Sequence, residues 1–517
     1  MSGPLVAAIR RKSMRLLPAR KFQQPAPSSS TPVTPIIPTS TMDLPPELLL
    51  VVFEHLASDM YFYYSSYFGS RGPGSSTRSI TDFKRRKDSS FEGFKESRKT
   101  VRQVCLVCKL WHTIGCIILY GRTILLSRLS IHQFRKTLVE FGRGEELGCY
   151  VKMMFIHDQD VAHDMDTNLD FRSPRQRAAR SRKSITLILN RVELECLCFQ
   201  HKDNAEIPLG IRIPDLIKGS STFVSLRRLI IRSKQFFDDL FVHLSFPNLE
   251  TLSLQSFSYK SSSPFPRLPK LKTIGFLDVS FHSKPKAFTK DRCPNLETLI
   301  LERCQFRSHV SSLGTTTAAP SNPASIGIFD SDSPPFTSLH LYLSNPALSS
   351  LFNNLVTSSI LANVRHLSLG HGQKTTLDEP FHPFAHWTFP RCLQSLTVVV
   401  KIRKNHPPST GDVLLGSLEG EDDGGGGALK SVYDCLKRNA QLRRLGPHST
   451  PPAAVVDTGN LELVVLSTWT SLEAPHQALK AAGKLIRKIR NLCDANGVVF
   501  KYDRCISPRP VFLPPVV

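Results

Sequence analysis

The sequence contains no stretch that is long and apolar enough to cross a membrane. Its best candidate, residues 104–120, is interrupted by Lys109 and His112, whereas a membrane-spanning helix needs roughly 18 consecutive apolar residues. The sequence also lacks an Asn-x-Ser/Thr acceptor and a secretory signal, and its 12 cysteines are irregularly spaced. These absences predict a protein of a reducing compartment, cytoplasmic and/or nuclear, with no membrane partner.

Motifs of the common enzyme classes are missing as well. There is no GxSxG, no HExxH, no GxxxxGK[ST], and no GxGxxG after a predicted strand. The spacing of Cys105 and Cys108 suits half of a zinc site, but no second such pair and no His pair follows at ligand spacing. We therefore expect a protein that is not an enzyme and that has no catalytic residue, no bound metal and no cofactor.

Acidic residues are scarce relative to basic ones, and the net charge is +23. Most of the excess lies in residues 1–42, 59–100 and 172–183. Blocks of like charge are typically solvated and without regular structure, so we interpret these segments as tails or loops. A nuclear-import or phosphate-binding role stays open, and the Arg-rich, acid-free residues 1–21 also resemble a transit peptide.

Composition divides the chain into domains and loops. We predict a disordered Pro/Ser-rich tail at 1–41, a helical domain at 42–125, a repeat-containing domain at 126–503 and a C-terminal tail at 504–517. An inserted loop interrupts the helical domain at 58–98. Within the second domain we expect loops at 165–184, 307–335 and 403–428.

A hydrophobic unit of the form L-x-x-L-x-L recurs through the second domain. Four units, beginning at Leu226, Leu249, Leu271 and Leu296, follow one another at steps of 23, 22 and 25 residues, a period similar to that of leucine-rich repeats. Weaker units begin at Val151, Leu194, Phe336, Val364, Leu393 and Leu461. The resemblance implies an irregular α/β solenoid of parallel strands whose fourth and sixth unit positions point into the core. Residues 476–503 are expected to close it with an amphipathic helix, a turn at Gly497 and a short strand.

The remaining strand positions of these units would line one concave face, which is the candidate surface for a target protein. Its residues are Arg228, Ile230, Arg232, Thr251, Ser253, Gln255, Thr298 and Glu302. Because LRRLIIRS places Arg228 and Arg232 on neighbouring outward positions, we further expect this region to meet an acidic or phosphorylated segment.

The helical domain begins with a segment that is apolar on every side. On a helical wheel for residues 46–56, the run from Leu48 to Phe53 and Leu56 leave almost no polar arc. Residues 100–118 supply one covering element, but roughly 30 helical residues do not enclose a core by themselves. The remaining cover is therefore expected from the repeat domain or from a second protein.

Two motifs of this domain resemble the F-box. Leu44-Pro45-x-Glu47-Leu48 matches its start, and Leu106-Val107-Cys108-x-x-Trp111 matches the segment near its end, although the inserted loop is longer than in the family. The resemblance implies a Skp-type adaptor as partner and, through it, the cullin and RING subunits of an SCF-type ubiquitin ligase. It implies adaptor contacts at Leu44, Pro45, Leu48, Leu49, Val52, Phe53, Leu56, Val104, Val107, Cys108 and Trp111.

Together, the two resemblances predict a substrate-recognition subunit whose F-box binds the adaptor and whose repeats bind an unidentified target protein. Three other interpretations stay open. In the first, the helical domain only caps the repeats; in the second, the chain is a non-ligase scaffold; in the third, it is a basic nuclear protein associated with nucleic acid. Nucleic acid is the less expected partner, because the basic segments lie away from any aromatic stacking platform.

Overall fold

The structure is a computed structural model. It describes residues 46–58, 60, 89–125, 128–139, 144–158, 174–201, 222–232, 246–259, 265–281, 289–306, 334–343, 351–352, 360–371, 387–390, 392–402, 427–444, 461–469 and 476–505. The predicted tail at 1–41 lies outside the described residues, as do nearly all of the predicted loops at 307–335 and 403–428. Within the described residues, helix and strand are mixed, and no helix is long and apolar enough to span a membrane.

Fifteen parallel strands run through the described residues. They are Arg122–Leu125 (β1), Met153–Asp158 (β2), Cys196–His201 (β3), Arg228–Arg232 (β4), Thr251–Gln255 (β5), Ser258–Tyr259 (β6), Thr273–Leu277 (β7), Ser280–Phe281 (β8), Thr298–Glu302 (β9), Gln305–Phe306 (β10), Ser338–Leu343 (β11), His366–His371 (β12), Ser395–Ile402 (β13), Glu462–Trp469 (β14) and Val499–Cys505 (β15). Twelve of them form one open sheet in chain order, and β6, β8 and β10 form a small second sheet beside it.

The hydrophobic units of the sequence lie on neighbouring strands of the large sheet. Leu229, Leu252, Ile274 and Leu299 are paired with one another across four strands, and all are buried. The carbonyl before each strand fixes this register: the Arg227 oxygen accepts the N–H groups of the next segment at 2.7 and 2.9 Å. Because strand side chains alternate between faces, the aligned leucines form a continuous apolar layer on one face.

One predicted unit has its register shifted by a residue. The sequence pattern placed Val464 in line with Leu396, but the sheet pairs Leu396 with Leu463 and Val398 with Val465. Leu463 and Val465 are fully buried. A one-residue shift turns every side chain of a strand to the opposite face. Because Leu463 and Val464 are adjacent and both apolar, the sequence is compatible with either register. The neighbouring strand β13 decides between them.

Short polar contacts connect successive turns at the ends of the strands. In the two near-identical PNL segments, the Asn248 side chain donates to the Val224 carbonyl at 2.6 Å, and Asn295 donates to the Pro269 carbonyl at 2.7 Å. The Cys304 thiol donates to the Phe276 carbonyl at 3.3 Å. The two Asn contacts are exposed, whereas the Cys304 contact is buried and pairs a backbone carbonyl that would otherwise lack a partner.

The helices lie before and between the strands. Those with defined bounds are Pro46–Leu56 (α1), Ser89–Val104 (α2), Lys109–Gly121 (α3), Arg128–Val139 (α4), Gly144–Tyr150 (α5), Pro174–Leu189 (α6), Thr222–Ser225 (α7), Gly427–Arg444 (α8) and His476–Asp494 (α9), with a 3₁₀ turn at Ile360–Asn363. Gly497, three residues after the end of helix α9, has a φ of 69°, and strand β15 follows it as predicted. Glycine adopts this left-handed conformation without steric cost.

Two of the predicted loops contain helix. Helix α2 begins within the predicted loop 58–98, because Phe94 and Ser97 continue the buried spacing that reaches Val101. Helix α6 begins within the predicted loop 165–184, because Ile185 and Ile188 anchor it to the core and the preceding Arg, Gln and Ala residues are good helix formers. The sequence pattern predicted loops at both places because the two segments are rich in charged and polar residues.

The two faces of the sheet carry different layers. The aligned leucine face forms the main core, which includes Met154 and Leu197 and the buried sides of α4, α6, α8 and α9. On the opposite face, Phe155, Cys198 and Ile230 join a second cluster with α1, α2 and α3. We call these three helices the helical module. The first strands of the sheet therefore supply one cover for the apolar helix α1.

Candidate functional site

The helical module is organised around Phe53 of α1. This side chain is 1% exposed, and its ring meets that of Trp111 edge-on with centroids 5.6 Å apart. Close to them, a Cβ atom added to Gly115 would lie 2.0 Å from the Cys105 sulfur and 3.4 Å from the Phe53 ring. Glycine is therefore required at position 115 for α3 to approach the end of α2.

Large apolar side chains remain exposed around this buried centre. Val51 is 60% exposed, and Leu48 and Val52, on the same side of α1, are also exposed. Leu106 and Val107 are 68% and 62% exposed, and Leu110 follows them in the first turn of α3. We call these six residues the apolar surface. In the sequence, Val52 precedes Phe53 and Leu110 precedes Trp111, the two residues of the ring contact.

The exposure of Leu106 and Val107 follows from the local backbone. Helix α2 ends in a turn in which the Leu106 and Val107 N–H groups donate to the Gln103 and Val104 carbonyls at 3.0 and 3.1 Å. Helix α3 then starts after an extended Cys108. The turn is held by Cys105, which points into the module, so the two residues after it face outward.

The predicted adaptor contacts divide by burial. Leu48, Val52, Val107 and Cys108 are exposed; Leu56, Val104 and Trp111 are half-buried; Leu49 and Phe53 are buried within the module. Leu44 and Pro45 lie outside the described residues. Leu49 and Phe53 are therefore inaccessible in the chain alone and pack beneath the apolar surface.

Sequence reasoning did not select Val51, Leu106 and Leu110 as contacts. A usable signal was present for Val51, because residues 48, 51 and 52 stand at i, i+3 and i+4 and must share a helix side. For Leu106 and Leu110 the signal was weaker, since only the position of the turn shows that they face outward.

The residues predicted for the concave face share neighbouring strands but differ in accessibility. Arg228, Arg232, Gln255 and Thr298 are half-buried, whereas Ile230, Thr251, Ser253 and Glu302 are buried. Ile230 is covered by the helical module. Four of the eight side chains therefore present little surface to a partner, and the accessible ones are Arg228, Arg232, Gln255 and Thr298.

A polar cluster lies further along this face, and Glu302 is its one residue that the sequence predicted for the target surface. Glu302 is opposite Tyr342, and His340 is opposite Ser368; the His340 Nδ1 and Ser368 Oγ atoms are 2.9 Å apart. Burial raises the pKa of Glu302 to about 8, partly opposed by Arg303 and reinforced by Asp278. Burial and the nearby His366 lower the pKa of His340 to about 4, so the imidazole is neutral at physiological pH.

The described residues offer little other reactive chemistry. Among them, no three His, Cys, Asp or Glu side chains come together as a metal site, and Cys105 is buried while Cys108 is exposed. Burial raises the pKa of the Cys105 thiol above its usual value, and burial raises the pKa of Cys196 to about 12. These thiols stay protonated at neutral pH and are therefore poor nucleophiles.

The resemblances to the F-box and to leucine-rich repeats rest on the sequence motifs of this chain. No protein-family model matches the chain, and no curated protein is similar to it at a significant level.

Proposed function

We propose that this chain is an F-box protein with leucine-rich repeats that acts as a substrate receptor of an SCF-type ubiquitin ligase. The helical module binds a Skp-type adaptor, and cullin and RING subunits join through that adaptor. The repeats bind a target protein. The observation that carries the proposal is the apolar surface: large apolar residues in and next to the two F-box-like motifs are exposed, and the Phe53–Trp111 ring contact joins the helices that carry them.

The size of the apolar surface favours a protein partner. Complete burial of a large apolar side chain contributes about 1.5–3 kcal/mol, so six that are roughly half exposed contribute on the order of 5–8 kcal/mol. Association itself costs an estimated 4–15 kcal/mol. Tight binding therefore needs additional contacts, and Leu44 and Pro45, which precede α1 in the chain, are the proposed source.

The shared core between module and sheet supports a receptor role. Phe155, Cys198 and Ile230 pack in one cluster with the module's helices, so a target on the sheet keeps a defined position relative to the adaptor. The chain then needs no catalytic group of its own, since fixed proximity to the conjugating enzyme raises the effective concentration of the target's lysines.

Co-purification with a Skp-type adaptor tests the proposal. The test variant is Val51→Lys/Val107→Lys, which places two charges in the apolar surface. The matched control is Val224→Lys/Val499→Lys, because these valines are 59% and 53% exposed and lie outside the module. Burying an unpaired charge is costly, so we expect the test variant to lose at least about 100-fold in adaptor affinity, and the control to bind like the unaltered chain.

The result separates the remaining interpretations. If the unaltered chain does not bind the adaptor, or if both variants bind equally well, the apolar surface is not an F-box surface and the proposal fails. If the adaptor binds but no cullin-dependent turnover of any bound protein follows, the non-ligase scaffold is the better description.

A further inference from the structure

Two helices on the main-core face of the sheet are basic and carry no acidic residue. Helix α4 contains Arg128, Arg135 and Lys136, and α6 contains five basic residues between Arg175 and Lys183. The two helices pack against each other. The segment interpreted from the sequence as a loose charged loop is therefore largely an ordered helix beside a second basic helix.

Helical spacing arranges these charges in two rows. Residues 132, 135 and 136 share one side of α4, and residues 180 and 183 share one side of α6. The rows meet where the Arg180 Nη2 and His132 Nε2 atoms lie 3.2 Å apart. Lys136, Arg180 and Lys183 are exposed. Like charges at this spacing repel one another, so a polyanion that binds across both rows relieves the repulsion.

The rows are held in place from beneath. Ile131 and Phe134 of α4 and Ile185 and Ile188 of α6 are buried in the main core, which fixes the opposite sides of both helices outward. The helical module packs on the other face of the sheet. The basic rows and the apolar surface therefore belong to opposite faces, and both can be occupied at once.

We propose that α4 and α6 form a binding surface for the phosphate backbone of a nucleic-acid duplex. Of the exposed basic residues, Arg180 carries a planar guanidinium that matches phosphate oxygens, and Lys136 and Lys183 add two further positive charges. The one aromatic residue of the two helices, Phe134, is buried, so the surface has no platform for stacking unpaired bases. Leu129 is the one exposed large apolar side chain described on either helix, which is little for a protein interface.

The surface has a defined limit on one side. The short helix α5, which contacts α4, carries Glu145 and Glu146. Acidic side chains repel a phosphate backbone, so the duplex is expected to lie along α6 and the part of α4 that contacts it. This placement makes Lys136, Arg180 and Lys183 the informative positions.

Fluorescence anisotropy of the full-length chain with a labelled 20-base-pair DNA duplex tests this surface. The test variant is Lys136→Gln/Arg180→Gln/Lys183→Gln. The control, Lys484→Gln/Arg487→Gln/Lys488→Gln, removes the same charge from exposed positions of α9. Binding is measured between 50 and 200 mM salt, and an RNA duplex of the same sequence serves as a second probe.

Loss of phosphate contacts changes both affinity and its salt dependence. The logarithm of the affinity falls against the logarithm of salt with a slope of about −0.9 per phosphate contact. We expect the test variant to bind at least about tenfold more weakly with a slope that is shallower by about 2–3, and the control to stay within about twofold of the unaltered chain.

Three outcomes overturn the inference. Equal weakening by both variants would show diffuse attraction to a basic chain, and no binding of either duplex would show that the surface has no such ligand. Stronger binding to polyglutamate or to vesicles of anionic lipid than to the duplexes would assign the surface to another partner. Adaptor binding by the test variant is measured alongside as a check on folding, and its outcome is independent of this surface.

Discussion

Replacing Glu302 by glutamine is expected to stabilise the protein increasingly as pH rises from about 5 to 8. The Glu302 side chain is 3% exposed, and its Oε2 atom has no hydrogen-bond partner among the described residues. Burial of this carboxyl raises its pKa from 4.5 to about 8. The folded chain therefore holds a proton at neutral pH that the unfolded chain releases.

The sign and size of the effect follow from these two values. The stability that Glu302 contributes is complete below the unfolded pKa of 4.5 and is lost as pH rises through the folded pKa of about 8. Each pKa unit corresponds to about 1.4 kcal/mol, so the loss across this window is on the order of 3–5 kcal/mol. Glutamine has no such proton, and its own packing cost does not change with pH.

Urea unfolding of the two proteins at pH 5, 6, 7 and 8 measures the difference. The quantity of interest is the change with pH in the variant-minus-unaltered free energy of unfolding, because titration of other groups largely cancels in it. Glu297→Gln is the matched control, since Glu297 is exposed just before the same strand. A difference for Glu302→Gln that is the same at pH 5 and pH 8 would refute the reasoning.

Further predictions concern packing. Gly115→Ala should destabilise the helical module by about 1–3 kcal/mol, because its Cβ atom would meet the Cys105 sulfur. Gly483→Ala has open space around its Cβ position and should stabilise the protein by about 0.5–1 kcal/mol. Thermal unfolding measures both changes, and equal effects would contradict the packing argument. Leu463→Ala should cost about 2–5 kcal/mol and Val464→Ala under about 1 kcal/mol by urea unfolding, and the reverse order would restore the register expected from the sequence.

The helical module shows what sequence reasoning could and could not reach. An all-apolar helix required more cover than a helical hairpin provides, and that inference needed no coordinates. The identity of the cover was open, because either the repeats or a partner would satisfy the same side chains. In the structure, Phe155, Cys198 and Ile230 of the sheet pack in one cluster with the helical module and cover one part of it. Leu48, Val51 and Val52 remain exposed.

The same limit applies to the charged segments. A run such as RSPRQRAARSRK has the composition of a solvated loop, and composition carries no information about a distant anchor. Ile185 and Ile188 supply that anchor and extend the helix back through the arginines. The predicted loop therefore became one half of a surface with α4, whose basic residues lie some fifty residues earlier in the chain.

By itself, the sequence determined the strand ladder. A unit of aligned leucines that repeats every 22–25 residues can bury its side chains only by stacking in parallel, so the pairing of Leu229, Leu252, Ile274 and Leu299 follows from local spacing. Tertiary structure alone decided the register of Leu463, the burial of Ile230 and Glu302, and the meeting of Arg180 with His132. Each of these depends on which distant segment covers a face, and a one-dimensional pattern does not specify that.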